Sequence, residues 1–273
     1  MNTAADKQVI LITGASSGIG LQTALDLVAK GHIVYAGARR VEAMQPIKDA
    51  GGHPVALDVT DDASMVAVID KILTEQGCID ALINNAGYGL YGAVEDVAMD
   101  KGRAQLEVNI MGLARMCQLV IPHMRTAGSG RIVNISSIGA TIHMPLGAWY
   151  HGSKFFVEGF TNSLRVELKP FGIDAVLVAP GAIVTEFFDT MADTLRKTSA
   201  NGAYAKTTES YLKMDERIKG SPPSAISNAI QRALFDRKPR TIYRAGVGSV
   251  AFYILRRTLP HRWFDALIMR SMA

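Results

Sequence analysis

Tyr150 and Lys154 stand four residues apart in the stretch "AWYHGSK", so on a helix the phenol and the ammonium share one face. Near pH 7 neither group alone trades protons readily. A cation roughly 4 Å from a phenolate favours it by about 4 kcal/mol at an effective dielectric near 20. That is enough to bring a tyrosine from a pKa of about 10 toward neutrality. Such a phenol can give a proton to a carbonyl under reduction or take one from an alcohol under oxidation. The chemistry then needs a hydride carrier beside the pair.

A place for one lies near the start of the chain. "TGASSGIG" (13–20) directly follows the apolar run "VILIT" (9–13) and opens a stretch of helical period. A strand-to-helix turn holding Gly14, Ser16, Ser17, Gly18, Ile19 and Gly20 lets backbone approach a pyrophosphate. The helix N-terminus adds unpaired N–H groups and a partial positive charge. The second strand ends "VYAGARRVE", with Gly37 and Ala38 where an NAD-selective site usually places an acid, and then Arg39 and Arg40. A guanidinium grips a 2′-phosphate that a carboxylate would repel, so NADP(H) is favoured, with Arg39 and Arg40 as the candidate contacts.

The glycine spacing G-x-x-x-G-x-G, "NNAG" at 84–87 and Tyr-x-x-x-Lys at 150–154 together resemble the short-chain dehydrogenase/reductase family, in the right order over roughly residues 8–185. The "YAGARR" strand and a long segment after 185 look most like its hydroxysteroid and retinol dehydrogenase members. The resemblance implies that Asp58 and Val59 meet the adenine and that Asn85, Ala86 and Gly87 pass beside the adenosine ribose. For Lys154 it implies a second task, holding the nicotinamide ribose. Ser137, thirteen residues before Tyr150, becomes the group that orients the substrate oxygen. Asn109 is implied to distort its helix and hold a water that connects Lys154 to solvent. Pro180, Gly181, Ile183 and Thr185 are implied to fix the nicotinamide carboxamide and its face. It further implies a homodimer or homotetramer.

These groups need a scaffold, and the chain alternates apolar runs with helical stretches, the pattern of a parallel sheet covered on both faces. Strands are expected at 9–13, 32–37, 54–59, 80–87, 130–137, 174–180 and around 240–244. Helices are expected at 19–30, from 60–64 to 76, 101–125, from Tyr150 to about 169, and 223–235. The fold class is α/β, a single doubly wound Rossmann-type sheet over residues 1–273. An insertion at 186–222, weakly helical, serves as a substrate lid, and 245–273 form an amphipathic C-terminal extension.

With 48% hydrophobic and 20% charged residues, the chain reads as soluble and globular. The formal charge of +4 resides in the stretch from Thr241 onward, where Arg244, Arg256, Arg257, Arg262 and Arg270 face Asp265 alone. The balanced remainder argues against a nucleic-acid groove. Cys78 and Cys117 are far apart without metal-ligand spacing, so a reducing cytoplasm and no metal are expected. The polar opening "MNTAADKQ" lacks a signal peptide's apolar run. No apolar stretch reaches the roughly 20 residues of a spanning helix.

Tyr88, Leu90, Met144, Leu146, Phe187, Phe188 and Met191 are expected to line a pocket for an apolar ketone, aldehyde or secondary alcohol. After Pro260, Trp263, Phe264, Leu267, Ile268 and Met272 recur at helical spacing beside Arg262 and Arg270. That segment is read as packing over the cleft or against a second subunit, with contact at a membrane surface as the alternative. A nonenzymatic dinucleotide sensor on the same fold is the competing reading of the whole chain; sensors tend to lose the Tyr, Lys or Ser, and all three stand here. A sugar-nucleotide epimerase or dehydratase would need a larger C-terminal domain. The sequence does not encode the direction of catalysis.

Overall fold

The computed structural model describes residues 7–217 and 219–272. Residues 1–6 of the polar N-terminus therefore lie outside the described residues, as does residue 218. Seven parallel strands form one sheet: β1 (Val9–Thr13), β2 (Ile33–Ala38), β3 (His53–Ala56), β4 (Ala81–Asn84), β5 (Gly130–Ile135), β6 (Ile173–Pro180) and β7 (Ile242–Ala245). Their order is β3-β2-β1-β4-β5-β6-β7, with the reversal of direction between β1 and β4. Ligands of such sheets bind above the strand ends at that point.

Alternation along each strand divides the core in two. Val9 and Leu11 of β1 face α3 (Asp62–Gln76), α5 (Leu113–Ala127) and α6 (Ala148–Leu168), where Ile72, Met116 and Val157 are buried. Ile10 and Ile12 face the opposite layer, with Leu27 of α1 (Gly18–Ala29) and Ile230 of α9 (Pro223–Phe235). A one-turn helix, α2 (Gln45–Asp49), and α4 (Met99–Leu106) complete this part. Gly31 follows α1 at φ +87°, the left-handed stop its position calls for. The cap of α3 is Asp61, which accepts from Ala63 N–H at 3.0 Å.

The third, fourth and fifth strands end at residues 56, 84 and 135, short of 59, 87 and 137, and the segments that follow leave the sheet to line the crevice. The segment read as a weakly helical insertion is two regular helices, α7 (Glu186–Ser199) and α8 (Ala205–Arg217). The tail forms α10 (Ser249–Thr258) and α11 (His261–Ser271). These pack around a third apolar cluster that includes Tyr91, Leu146, Met191, Leu195, Tyr211, Phe264 and Ile268. Among the described residues no helix is long and apolar enough to cross a membrane. Cys78 and Cys117 are free thiols, the second fully buried.

Candidate active site

The crevice is a cavity of about 1640 Å³ that runs from the glycine turn to α11. Pockets for small ligands usually measure ~300–1,000 Å³, so this volume suits a dinucleotide with a second molecule beside it. Of the residues singled out above, Gly14, Ser16, Ser17, Gly18, Ile19, Arg39, Arg40, Asp58, Val59, Asn85, Ala86, Gly87, Ser137, Tyr150, Lys154, Pro180, Gly181, Ile183 and Thr185 all line it. Gly20 and Asn109 do not; they stand behind the wall.

The glycine turn is shaped by close approach. Gly14 has φ +68°, and a β-carbon there would lie 2.7 Å from Ala86 Cα; at Gly20 it would lie 2.3 Å from the Gly14 carbonyl oxygen. Asn85 ties the two strand ends together, donating from Nδ2 to Thr13 O and Gly14 O at 3.0 Å each, while Thr13 Oγ1 accepts from the N–H groups of Asn85 and Ala86. The opposite wall is as tight, since a β-carbon at Gly181 would lie 2.0 Å from Val247 O. Thr185 caps α7 by accepting from Phe187 N–H and rests against Gly18.

The charged groups at the crevice edge pair unequally. Burial pushes the Asp58 pKa up, but two hydrogen bonds from Thr60 and the Arg39 guanidinium outweigh it, so the carboxyl stays below its usual range. Asp58 is thus not the cap of α3. Arg40 donates to Ser16 Oγ at 3.4 Å and lies 3.5 Å from Glu186 in an exposed ion pair, which links the glycine turn to α7.

Tyr150 and Lys154 both occupy the first turns of α6 and are buried. Lys154 Nζ donates to Ile135 O at 2.9 Å and lies 5.9 Å from the centre of the Tyr150 ring. Among the protein's own groups, burial pushes the phenol up to about 12, against a smaller downward pull from a hydrogen bond with Ser137, and brings the Lys154 pKa down to about 8. The expectation that the ammonium draws the phenol toward neutrality is corrected. Desolvation penalises both charged forms and outweighs the neighbouring cation while the ammonium donates to the Ile135 carbonyl at the end of β5. Ser137 Oγ accepts from Gly139 N–H at 3.0 Å, leaving its own proton to donate.

Asn109 sits in a π-helical stretch, Glu107–Gly112, between α4 and α5. The wider turn aims its amide at the loop after β4. Its Oδ1 accepts from Tyr88 N–H (3.1 Å), and its Nδ2 donates to Tyr88 O (3.0 Å) and Ser153 Oγ (3.1 Å). Ser153 in turn donates to Tyr150 O at 2.7 Å. Sequence reasoning passed over Ser153, and it passed over His151, whose Nδ1 donates to Gly139 O (2.9 Å) while Nε2 accepts from Met144 N–H (3.2 Å). His151 thereby pins the 139–147 loop above Tyr150. Adjacency to Tyr150 and Lys154 was the only signal for either residue.

Tyr88, Met144, Phe187, Phe188 and Met191 reach the apolar end of the cavity as expected from sequence. Leu90 and Leu146 do not: both are buried away from it, Leu146 at φ +66° within the third cluster. Their places are taken by residues from helices that the sequence left vague, Tyr211 and Met214 of α8, Phe252 of α10, and Leu267 and Ile268 of α11. Phe187 lies directly against the Tyr150 ring, with centroids 5.2 Å apart.

Residues 8–196 match the family described as short chain dehydrogenase. A 3-ketodihydrosphingosine reductase of Bacteroides thetaiotaomicron is 38% identical over 244 residues, 88% of each chain. The solved structure of a short-chain dehydrogenase from Streptomyces avermitilis is 31% identical with a TM-score of 0.82, covering 94% of both chains. The structure of ElxO with NADP bound is 28% identical with a TM-score of 0.72, covering 87% of this chain and 96% of that one.

Proposed function

The chain belongs to the short-chain dehydrogenase family, a family of oxidoreductases acting on CH–OH groups, and from that premise we propose that it is an NADP(H)-dependent reductase of an apolar ketone or aldehyde. The observation that carries this reading is one continuous cavity with a glycine-walled end, an apolar end, and the buried Ser137, Tyr150 and Lys154 between them. Residues 1–273 act as one catalytic domain, with α7 and α8 as its cover.

The residues present fit a nicotinamide dinucleotide. At Gly14, Gly20 and Gly181 a side chain would fill the space that backbone needs, and Gly87 leaves room beside Lys154 Nζ, 3.7 Å from where its β-carbon would stand. Ser16–Ile19 and the first turn of α1 would hold the pyrophosphate, since the unpaired N–H groups of a helix N-terminus suit an anion. Asp58 and Val59 would take the adenine, Asn85–Gly87 the neighbouring ribose, and Pro180, Gly181, Ile183 and Thr185 the carboxamide. Lys154 would hold the second ribose. Arg39 would meet a 2′-phosphate, supported by its place beside Asp58 and by the exposed pairing that occupies Arg40 with Glu186. When bound, this group supplies the hydride in reduction and accepts it in oxidation.

The protein's part is orientation and the proton. Ser137 donates to the substrate oxygen and stabilises the charge that grows on it. Tyr150 would give its hydroxyl proton to that same oxygen, which leaves as the hydroxyl of the reduced product. A phenol kept protonated by burial suits this direction. The cationic form of Lys154 favours the phenolate that remains, and Asn109, through Ser153, fixes the turn of α6 on which Tyr150 sits.

Phe187, Met191, Tyr211, Phe252 and Leu267 favour an elongated apolar carbonyl. The Bacteroides relative, whose name denotes a ketone on a sphingoid base, supports a lipid ketone within that class. The two free thiols support a reducing cytoplasm, and exposed Phe155 and Phe156 on α6 support a homo-oligomer. Screening a 3-keto sphingoid base, long-chain ketones, steroids and retinals for NADPH oxidation by absorbance tests the reading. Turnover of an apolar ketone with NADPH, at least ~10-fold better than with NADH, is expected of a charge-assisted grip on the 2′-phosphate. Turnover confined to NADH, or to small charged carbonyls, overturns it.

A further inference from the structure

Two helices, α10 and α11, close the cavity from the C-terminal side, and α11 has two unlike faces. Phe264 and Ile268 of α11 and Met272 just after it recur every fourth residue and are buried in the third cluster. That inner face accounts for the folding of the segment. The outer face is left without a partner: Val250 and Ile254 on α10 are 52% and 55% exposed, and Trp263 and Met269 on α11 are 71% and 57% exposed.

The same two helices carry most of the chain's net charge. Arg256, Arg257, Arg262 and Arg270 lie on these two helices, and the single acid, Asp265, is engaged by His143 at 2.8 Å. None of the four arginines pairs with a carboxylate among the described residues. Phe252 and Leu267 both line the cavity and are 38% and 40% exposed, so they stand where its wall meets this outer surface.

We propose that the α10–α11 pair docks on an anionic lipid bilayer, and that an apolar carbonyl passes from the bilayer into the cavity between Phe252 and Leu267. Aliphatic side chains and an indole beside arginines, on a helix pair held from its other side by buried Phe264 and Ile268 and partly buried Leu255, form the surface that seats at the boundary of headgroups and acyl chains. A second copy of the chain fits less well, because a twofold contact through this face would set its arginines against each other. The docking stands on the surface alone. The passage of substrate rests on the function proposed above.

The test is sedimentation of the full chain with vesicles of phosphatidylcholine, with and without phosphatidylglycerol. Binding to the anionic vesicles is expected, weakened by high salt as the Debye length shortens. Arg262→Glu and Arg270→Glu each reduce it by about fivefold or more. Trp263→Glu abolishes it, whereas Trp263→Phe keeps most of it. The Trp263→Glu variant should turn over a water-soluble ketone at the unaltered rate and lose turnover of a ketone embedded in anionic vesicles.

Wild-type protein left in the supernatant with anionic vesicles overturns the docking. So does a Trp263→Glu variant that still sediments while light scattering shows a smaller oligomer, since the face is then a contact between chains. Vesicle binding with no turnover of any ketone supports the docking and overturns the proposed reaction, and the substrate passage with it.

Discussion

The two ends of the cavity are built by different physics. At the dinucleotide end, backbone meets backbone: Gly14, Gly20 and Gly181 sit where a β-carbon would come within 2.0–2.7 Å of main-chain atoms. At the substrate end, side chains of α7, α8, α10 and α11 meet one another across an apolar cluster, with Phe187 against Tyr150. Main-chain walls admit almost no change. Apolar walls exchange one side chain for another of similar volume at a cost usually under about 1.5 kcal/mol. The first kind of wall suits a ligand that is always the same, the second a ligand that differs from one relative to another.

Substitutions can break this contrast, and the largest effect is expected at the rigid end. Gly20→Val forces a branched side chain into the Gly14 carbonyl and Asn85. At least ~3 kcal/mol of stability should be lost, a fall in Tm on the order of 10 °C by calorimetry, together with dinucleotide binding. Next comes Arg39→Ala, whose removal of a charge-assisted contact should lower the preference for NADPH over NADH by about 10- to 100-fold in kcat/KM. At the apolar end, Phe187→Ala should raise KM for the ketone by about 10-fold and leave the Kd for NADPH unaltered, as isothermal titration would report. A Phe187→Ala variant that loses NADPH instead would mean that the two ends are not separable.

The pH dependence sharpens the comparison with the smallest effect. Burial holds Lys154 at about 8, below its ordinary 10.5, so the cation that favours the Tyr150 phenolate is lost as pH rises through about 8. Reduction should therefore fall above that pH, and Lys154→Arg, which keeps its charge there, should flatten the profile. Stability has the opposite sign. The unfolded chain binds the extra proton between about 8 and 10.5, so the penalty for burying this group is full below 8 and fades as pH rises across that window. Lys154→Met should accordingly raise Tm at pH 7 while removing activity.

What the sequence made legible follows the same division. The sheet and the glycine turn could be read because buried parallel strands are continuous apolar runs and because close backbone approach demands glycine. Leu90 and Leu146 were misplaced because an apolar residue beside a cleft looks the same whether it faces the cavity or the core. The helix α8, "AKTTESYLKMDER", is polar along most of its sequence, and among its described side chains Thr208 and Tyr211 are the buried ones, so its period was faint. The π-helical turn at Asn109 has no signature in spacing. The Tyr150–Lys154 pair was legible as a juxtaposition, but the balance between the ammonium and desolvation depends on burial, which spacing does not report.

The central claim is that the Tyr150 hydroxyl delivers the proton to the substrate oxygen. Single-turnover reduction of an apolar ketone by NADPH, followed in wild type and in Tyr150→Phe, tests it directly. The phenylalanine keeps the ring packed on Phe187 and Tyr91 and removes only the oxygen. A fall of about 10²- to 10⁴-fold in the chemical step, with NADPH binding intact, is predicted. A variant that reduces the ketone at the wild-type rate would contradict the account.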